Sequence, residues 1–284
     1  MDKEVFESKI IDVIHYCEDI FELKIKSPLA AKNYKPGQFF KLQNFHNDSE
    51  KSFEPIAITA SEIDGDIISS VIQIVGVSTK IASSFKNNEL VSLMGPCGKP
   101  SYLPRNSTFL LIGGGVGIYA LLPYAKALKI LGNNVTILCG YRKKRHCILL
   151  EKIKQSVDSA IFSCDEGKIF ESDNQNIHGS IIDSLKSLDL EGIRNLFVVG
   201  SSSMMLAVAE YVESYTKINK IASINAPMQC MLGGVCGQCL TLVPAVDGDK
   251  LVFICKNQEQ ILDTKLMQTL KRKLSQNSLL EKFF

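Results

Sequence analysis

Four of the nine cysteines in this sequence fall within 26 residues, as Cys230-x5-Cys236-x2-Cys239-x15-Cys255. Gly233, Gly234 and Gly237 lie among the first three. Four converging thiolates suit a 2Fe–2S cluster, and glycines let the backbone wrap closely and turn its amides toward the sulfurs. The plant-type ferredoxin spacing is Cys-x4-Cys-x2-Cys with a distant fourth cysteine, so the first gap here is one residue longer. Zinc would also accept four cysteines, but a zinc ribbon pairs two Cys-x2-Cys knuckles and one is present. A catalytic dithiol at Cys236 and Cys239 would need neither Cys230 nor Cys255. Inert buried thiols describe Cys17, Cys139 and Cys164 better than a glycine-flanked group of four.

Two further stretches have spacing suited to phosphate. Gly113-Gly114-Gly115-Val116-Gly117 follows an apolar run, and Gly115-x-Gly117-x-x-Ala120 fits the Gly-x-Gly-x-x-Gly/Ala form. In that form, backbone amides and a helix N-terminus hold a pyrophosphate; tight packing turns use glycine as well. The acidic ribose ligand expected after the second strand is replaced by Gly140-Tyr141-Arg142-Lys143-Lys144-Arg145. That basic run reads as solvated surface or, in the alternative, as a site for a 2′-phosphate. Gly76-Val77-Ser78-Thr79 precedes an expected short helix at 80–85, which Ser78 and Thr79 would cap, with or without a phosphate.

These groups must be positioned by a chain of 284 residues, about two average domains. Its composition, 45% hydrophobic and 22% charged, excludes a disordered or fibrous protein. Lys plus Arg number 32 against 30 Asp plus Glu, and without a basic excess no nucleic-acid partner is expected. Residues 109–125 are 17 in number and carry four glycines and Pro123, too interrupted for a membrane span. Met1 to Lys9 is charged and lacks an apolar signal region, so the expected location is cytoplasmic. In a reducing compartment clustered cysteines read as metal or redox ligands.

Residues 1–104 show six short apolar or alternating runs separated by Ser27-Pro28, Lys35-Pro36-Gly37, Asp64-Gly65 and Gly95-Pro96, which predicts a small antiparallel β-barrel. Strands and helices then alternate over 105–225, predicting a doubly wound, largely parallel sheet. Residues 226–284 form a cysteine-bearing appendix with a tail. In the tail Leu262, Leu266, Leu270 and Leu274 recur at helical spacing beside Lys271-Arg272-Lys273, and would pack on their own chain or dock a partner.

Taken in order, these residues resemble the ferredoxin–NADP reductase superfamily, and within it the electron-transfer subunit of class 1B dihydroorotate dehydrogenase, of pyrimidine biosynthesis. Pro36-Gly37-Gln38-Phe39 resembles the barrel motif beside the flavin, and Gly76 to Thr79 and Gly95-Pro96-x-Gly98 resemble the flavin-phosphate loop and the barrel end. Gly113 to Gly117 with Pro123 resembles the nicotinamide-dinucleotide loop. Asp165-Glu166-Gly167 and Gly179-Ser180 match an acidic turn and the start of the next helix, and the cysteine group follows the fifth strand as in that subunit. The resemblance covers about residues 10 to 260. Two segments depart from it. The flavin-binding Arg-Pro-x-Ser reads Glu54-Pro55-Ile56-Ala57, which puts a carboxylate where an Arg would pair with phosphate. The Cys-Gly-Pro-x-x-Met near the nicotinamide reads Val199-Gly200-Ser201-Ser202-Ser203-Met204. Met228-Gln229-Cys230-Met231 through Gln238-Cys239, with Phe253-Ile254-Cys255 and Asn257-Gln258, resembles a divergent branch, which implies flavoprotein partners other than dihydroorotate dehydrogenase.

The resemblance implies an FAD-binding barrel (1–104), an NAD(P)-binding α/β domain (105–225) and a small 2Fe–2S domain with a helical tail (226–284). It implies FAD near Pro55, Ile56, Ala57, Ile58, Gly76, Val77, Ser78 and Thr79, and NAD(P)H near Gly113, Gly114, Gly115, Gly117 and Gly200. Cys230, Cys236, Cys239 and Cys255 would be the metal ligands. The implied activity is that of an NAD(P)H-dependent flavin oxidoreductase serving a catalytic flavoprotein subunit. Hydride transfer to flavin needs no acid–base residue, so none is assigned; His15, His46, His146 and His178 read as structural or surface groups. Alternatives are a free-standing or transhydrogenase-type NAD(P)H:ferredoxin reductase and, from another class, a non-redox zinc- or nucleotide-binding assembly subunit.

Overall fold

The computed structural model describes residues 4–44, 54–169, 176–226, 236–243 and 248–270. Cys230, Gly233, Gly234, His46 and the residues from Lys271 to Leu274 lie outside these.

The first half forms a seven-stranded antiparallel sheet from β1 (Val5–Cys17), β2 (Ile20–Lys26), β3 (Phe39–Asn44), β4 (Ile56–Ile58), β5 (Glu62–Asp64), β6 (Ile67–Gln73) and β7 (Leu90–Cys97). Their order across the sheet is β4-β3-β7-β1-β2-β6-β5. Alternation explains its core. In β2, Phe21, Leu23 and Ile25 point into one cluster with Ile10, Phe40, Leu42, Ile68 and Leu93. The other face of β2 is buried too: Ile20 packs, with Val71, among residues of the second half. β5, at three residues, is too short to show a periodicity and is one strand more than the sequence predicts. The Ser27-Pro28 separator opens a helix, α1 (Pro28–Asn33), because proline at the first helical position gives up only an N–H that has no partner there. A second helix, α2 (Val77–Ala82), starts three residues earlier than expected.

The second half is built on parallel strands β8 (Thr108–Gly114), β9 (Asn134–Tyr141), β10 (Ser159–Cys164), β11 (Asn176–His178), β12 (Asn195–Val199) and β13 (Asn219–Ser223). Helices α3 (Gly117–Ala120), α4 (Leu122–Ile130) and α5 (Leu150–Ser156) cover one face, and α6 (Ile181–Lys186) and α7 (Ser202–Val212) cover the other. β8 shows why both faces are apolar: Phe109 and Leu111 enter the cluster under α3–α5, whereas Leu110 and Ile112 enter the one under α6–α7.

The cysteine-bearing stretch is tied to this second half. A hairpin of β14 (Leu240–Val243) and β15 (Lys250–Phe253) leads to β16 (Glu259–Ile261), which pairs antiparallel with β13 and becomes an edge of the parallel sheet. Leu262, Leu266, Met267 and Leu270 are buried against α7 and its neighbours, so this leucine stripe packs on its own chain. Each such side chain is worth about 1.5–3 kcal/mol. Among the described residues no helix is long and apolar enough to cross a membrane.

Candidate redox site

The parallel strands run in the order β11-β10-β9-β8-β12-β13, so the winding direction reverses between β8 and β12. A crevice beyond the C-terminal strand ends at such a reversal is where open α/β sheets take ligands. Gly113 pairs with Val199 across it, which sets the glycine loop beside Gly200 and Ser201. A Cβ on Gly113 would stand 2.7 Å from Ile118 Cγ1, and one on Gly117 would stand 3.0 Å from Val199 O. Met204 fills the space between Gly114 and Gly200. Packing therefore accounts for three glycines of the loop. Gly115 differs: its φ is +55°, its N–H donates to Gly140 O at 3.0 Å, and no atom lies within 4 Å of where a Cβ would be. The loop thus keeps open space at Gly115, just before α3, while the Gly115 N–H itself is spent on Gly140.

At the antiparallel sheet, Gly76 is the N-cap of α2 and Thr79 sits in its first turn. Thr79 Oγ1 accepts from the N–H groups of Val75 and Gly76 at 3.0 and 3.1 Å, so its hydroxyl is engaged in holding the turn. Val75 and Val77 flank Gly76 and are 81% and 75% exposed. Glu54, just before β4, and Ala57, within it, are exposed, and Ile58 is buried in the core of the antiparallel half.

The cysteine strip is organised by hairpin register. Leu240 pairs with Phe253, so Cys239 stands opposite Ile254, whose N–H donates to Cys239 O at 3.2 Å. Cys239 and Cys255 are thereby brought to one end of the hairpin, both buried, while Cys236 is exposed. Gly237 adopts φ +70° in open space between Cys236 and Cys239, the turn that a glycine permits. Thiolates suit an iron–sulfur cluster by their chemistry, but the fourth predicted ligand, Cys230, lies outside the described residues, and the sulfurs of Cys236, Cys239 and Cys255 do not all lie within 4.8 Å of one another. Cys239 and Cys255 share a core with Phe39, Met94 and Cys97 of the antiparallel half and with Met205 of α7. By contrast Cys147, beside the basic run, is pushed up to about 12 by burial and by the neighbouring Cys164 thiol, which keeps it a thiol at neutral pH.

Ion pairs join the two halves, and they include Arg145 of the basic run and His146. His146 Nε2 lies 2.9 Å from Asp19 Oδ1, and Arg145 pairs with Glu18 at 3.0 Å and with Asp19 at 3.6 Å. Burial pushes the Asp19 carboxyl up, but hydrogen bonds from Gln73, His146 and Cys17 outweigh it and hold it at about 2. Cys17, Asp19 and His146 form a donor group with ligand atoms within 4.8 Å of one another, yet the Arg145 cation already neutralises the carboxylate. Nearby, Lys152 bridges Glu22 (3.7 Å) and Glu62 (2.7 Å), and Lys126 reaches Glu62 at 2.8 Å. Arg145 of the basic run is thus committed to these contacts, and Arg142, Lys143 and Lys144 are exposed. No sequence pattern announces such pairs, which lie 127 residues apart in the case of Asp19 and His146.

No protein-family model matches the sequence. An uncharacterized protein of Rickettsia prowazekii is 33% identical over 264 residues, 92% of this chain and 31% of that protein, so the chain spans about a third of that relative. A homolog of the dihydroorotate dehydrogenase B (NAD(+)) electron transfer subunit from Thermotoga maritima is 29% identical over 243 residues, 83% of this chain and 80% of that one. The solved structure of an NADH-dependent reduced ferredoxin–NADP oxidoreductase, described in terms of flavin-based electron bifurcation, superposes with a TM-score of 0.79 at 27% identity and covers 97% of both chains. The chain resembles the ferredoxin–NADP reductase superfamily in fold and, in sequence, the electron transfer subunit of dihydroorotate dehydrogenase B.

Proposed function

We propose that this chain is an NAD(P)H-dependent flavin oxidoreductase acting as a cytoplasmic electron-transfer subunit for a partner flavoprotein, such as a dihydroorotate dehydrogenase catalytic subunit. The observation that carries the reading is a single shared core: Cys239 and Cys255 pack with Phe39 and Met94 from the antiparallel half and Met205 from the nucleotide half. Gly113, Gly114, Gly115, Gly117 and Gly200 would take NAD(P)H, and Pro55 to Ile58 with Gly76 to Thr79 would take FAD. Cys230, Cys236, Cys239 and Cys255 would hold the 2Fe–2S cluster. When bound, flavin exchanges electrons in pairs with a nicotinamide and singly with a cluster. The chain's own part is to orient and to exclude water. Gly115 leaves open space beside the loop in which a phosphate would sit, and the buried hairpin end keeps Cys239 and Cys255 from solvent.

A second reading, a subunit of a transhydrogenase-type NAD(P)H:ferredoxin reductase, is supported by the superposition over 97% of a bifurcating oxidoreductase chain. The visible spectrum of anaerobically purified protein tests both against a zinc or nucleotide assembly role. Flavin bands with broad iron–sulfur absorption are expected, and a colourless protein with stoichiometric zinc would overturn the proposal. Cys239→Ser is expected to abolish the cluster signal and leave NAD(P)H binding in place. Co-purification of dihydroorotate dehydrogenase activity separates the two partner readings.

A further inference from the structure

Three residues after Cys255, the chain crosses to the antiparallel half through one side chain. Gln258 is 4% exposed. Its Nε2 donates to Gly37 O and to Lys99 O (2.8 Å), and its Oε1 accepts from Lys99 N–H at 3.1 Å. Its own carbonyl accepts from Ile224 N–H at 2.8 Å, at the end of β13. Beside it, Glu259 accepts from Ser101 Oγ, and Ser101 N–H donates to Pro36 O at 2.9 Å. The turn that Gln258 grips is Pro36-Gly37-Gln38-Phe39, the segment likened to the motif beside the flavin. Gly37 and Gly98 have φ of +89° and +78°, and the space a Cβ would need is held by Ser101 and Glu259 at the first and by Gln258 and Phe39 at the second. On the cysteine side, Lys256 N–H and Asn257 N–H close onto Phe253 O at 2.9 and 3.2 Å, so the path from Cys255 to Gln258 is a tight turn. Even fully extended, three residues span at most about 11 Å.

On the reading above, we infer that Gln258 is a positioning residue that sets the cluster strip against the flavin turn and thereby governs electron passage between them. The chemistry requires an amide. Two carbonyls need donors and one N–H needs an acceptor, a combination that a glutamine supplies and that glutamate, lysine or leucine cannot. The balance it serves is one hydride from NAD(P)H, two electrons in all, delivered singly through the cluster to the partner flavoprotein, with one proton released to solvent. Electron passage falls steeply with distance, whereas NAD(P)H binding at the β8–β12 crevice does not depend on this turn.

The test uses the full-length, cofactor-loaded protein and the variants Gln258→Leu and Gln258→Glu. The Glu variant preserves volume and the acceptor for Lys99 N–H if the Leu variant fails to fold. Rapid mixing with NADH is expected to show cluster reduction slowed by about tenfold to a hundredfold relative to flavin bleaching, as for a displaced reacting group. Hydrogen exchange at the Lys99 amide should accelerate in the Leu variant and stay protected in the Glu variant. Cluster reduction that keeps the parent's ratio to flavin bleaching in both variants would overturn the inference. A parent protein lacking flavin or cluster would overturn it together with the proposed function, and loss of Lys99 protection would then mark Gln258 as a structural strut alone.

Discussion

Two seams join the antiparallel sheet to the parallel one, and they use opposite chemistry. Along the first, Glu18, Asp19, Glu22 and Glu62 meet Arg145, His146, Lys152 and Lys126. Along the second, Gln258 and Glu259 grip backbone and hydroxyl groups of Gly37, Lys99 and Ser101. Ion pairs at a partly exposed seam are tolerant of small shifts, are screened by salt and contribute modestly one by one. Buried amide contacts are short and directional, and breaking one strands a desolvated partner. The hairpin end that carries Cys239 and Cys255 is therefore held to the 36–39 turn by more directional polar contacts than those of the ionic seam.

The contrast is broken most forcefully at Gly98. Alanine there would have to adopt φ +78° with its Cβ 2.5 Å from Gln258 Oε1 and 2.9 Å from Phe39 Cε1. Strain and overpacking together are expected to cost about 2–4 kcal/mol in urea unfolding. Arg145→Gln in the ionic seam, whose side chain is 43% exposed, is expected to cost less than about 1 kcal/mol. Equal losses would remove the distinction between the seams.

Within the ionic seam the buried end should matter more than the exposed one. The Glu22 side chain is 4% exposed; Tyr16 O–H donates to its Oε2 at 2.9 Å, and Lys152 stands 3.7 Å from its Oε1. Lys152→Met leaves that carboxylate buried without its cation, for an expected loss of about 1–3 kcal/mol. Adding Glu22→Gln should recover part of the loss, because a neutral amide needs no counter-charge. If the double variant is no better than the single one, Lys152 acts through Glu62 instead.

How far these seams could be read in advance follows from their physics. The strands of both sheets declare themselves where alternation is long enough, as in Phe109 to Ile112, whose odd and even residues enter different cores. β5, β11 and β16 are three residues each and carry no period. The glycine loop is legible as a loop, but its composition does not reveal that Gly113, Gly114 and Gly117 answer to Ile118, Met204 and Val199 while Gly115 faces open space. Thr79 reads as a helix cap, and it closes the cap from the third helical position by accepting from the N–H of the N-cap residue Gly76. Gln258 and Gly37 are 221 residues apart, and a single glutamine carries no pattern. Long-range polar contacts arise from the packing of finished elements, so they surface when those elements are placed together.

The smallest expected effect lies at the exposed end of the ionic seam, where pH is the lever. Asp19 is held at about 2, below the ordinary value of 3.8, through hydrogen bonds from Gln73, His146 and Cys17 that outweigh the opposing effect of burial. A carboxyl whose folded-state value is depressed contributes stability that is fully present above its unfolded value and is lost as the pH falls through its folded value. The contribution should therefore be complete above about pH 4 and vanish toward pH 2. Solvent screening at this side chain, 25% exposed, keeps it modest. Urea midpoints of the parent and of Asp19→Asn, followed from pH 6 downward, should differ most above pH 4 and converge as the acid side is approached. A difference that stays constant across the range would mean that Asp19 acts by packing and not by charge, and the first seam would then be no more electrostatic than the second.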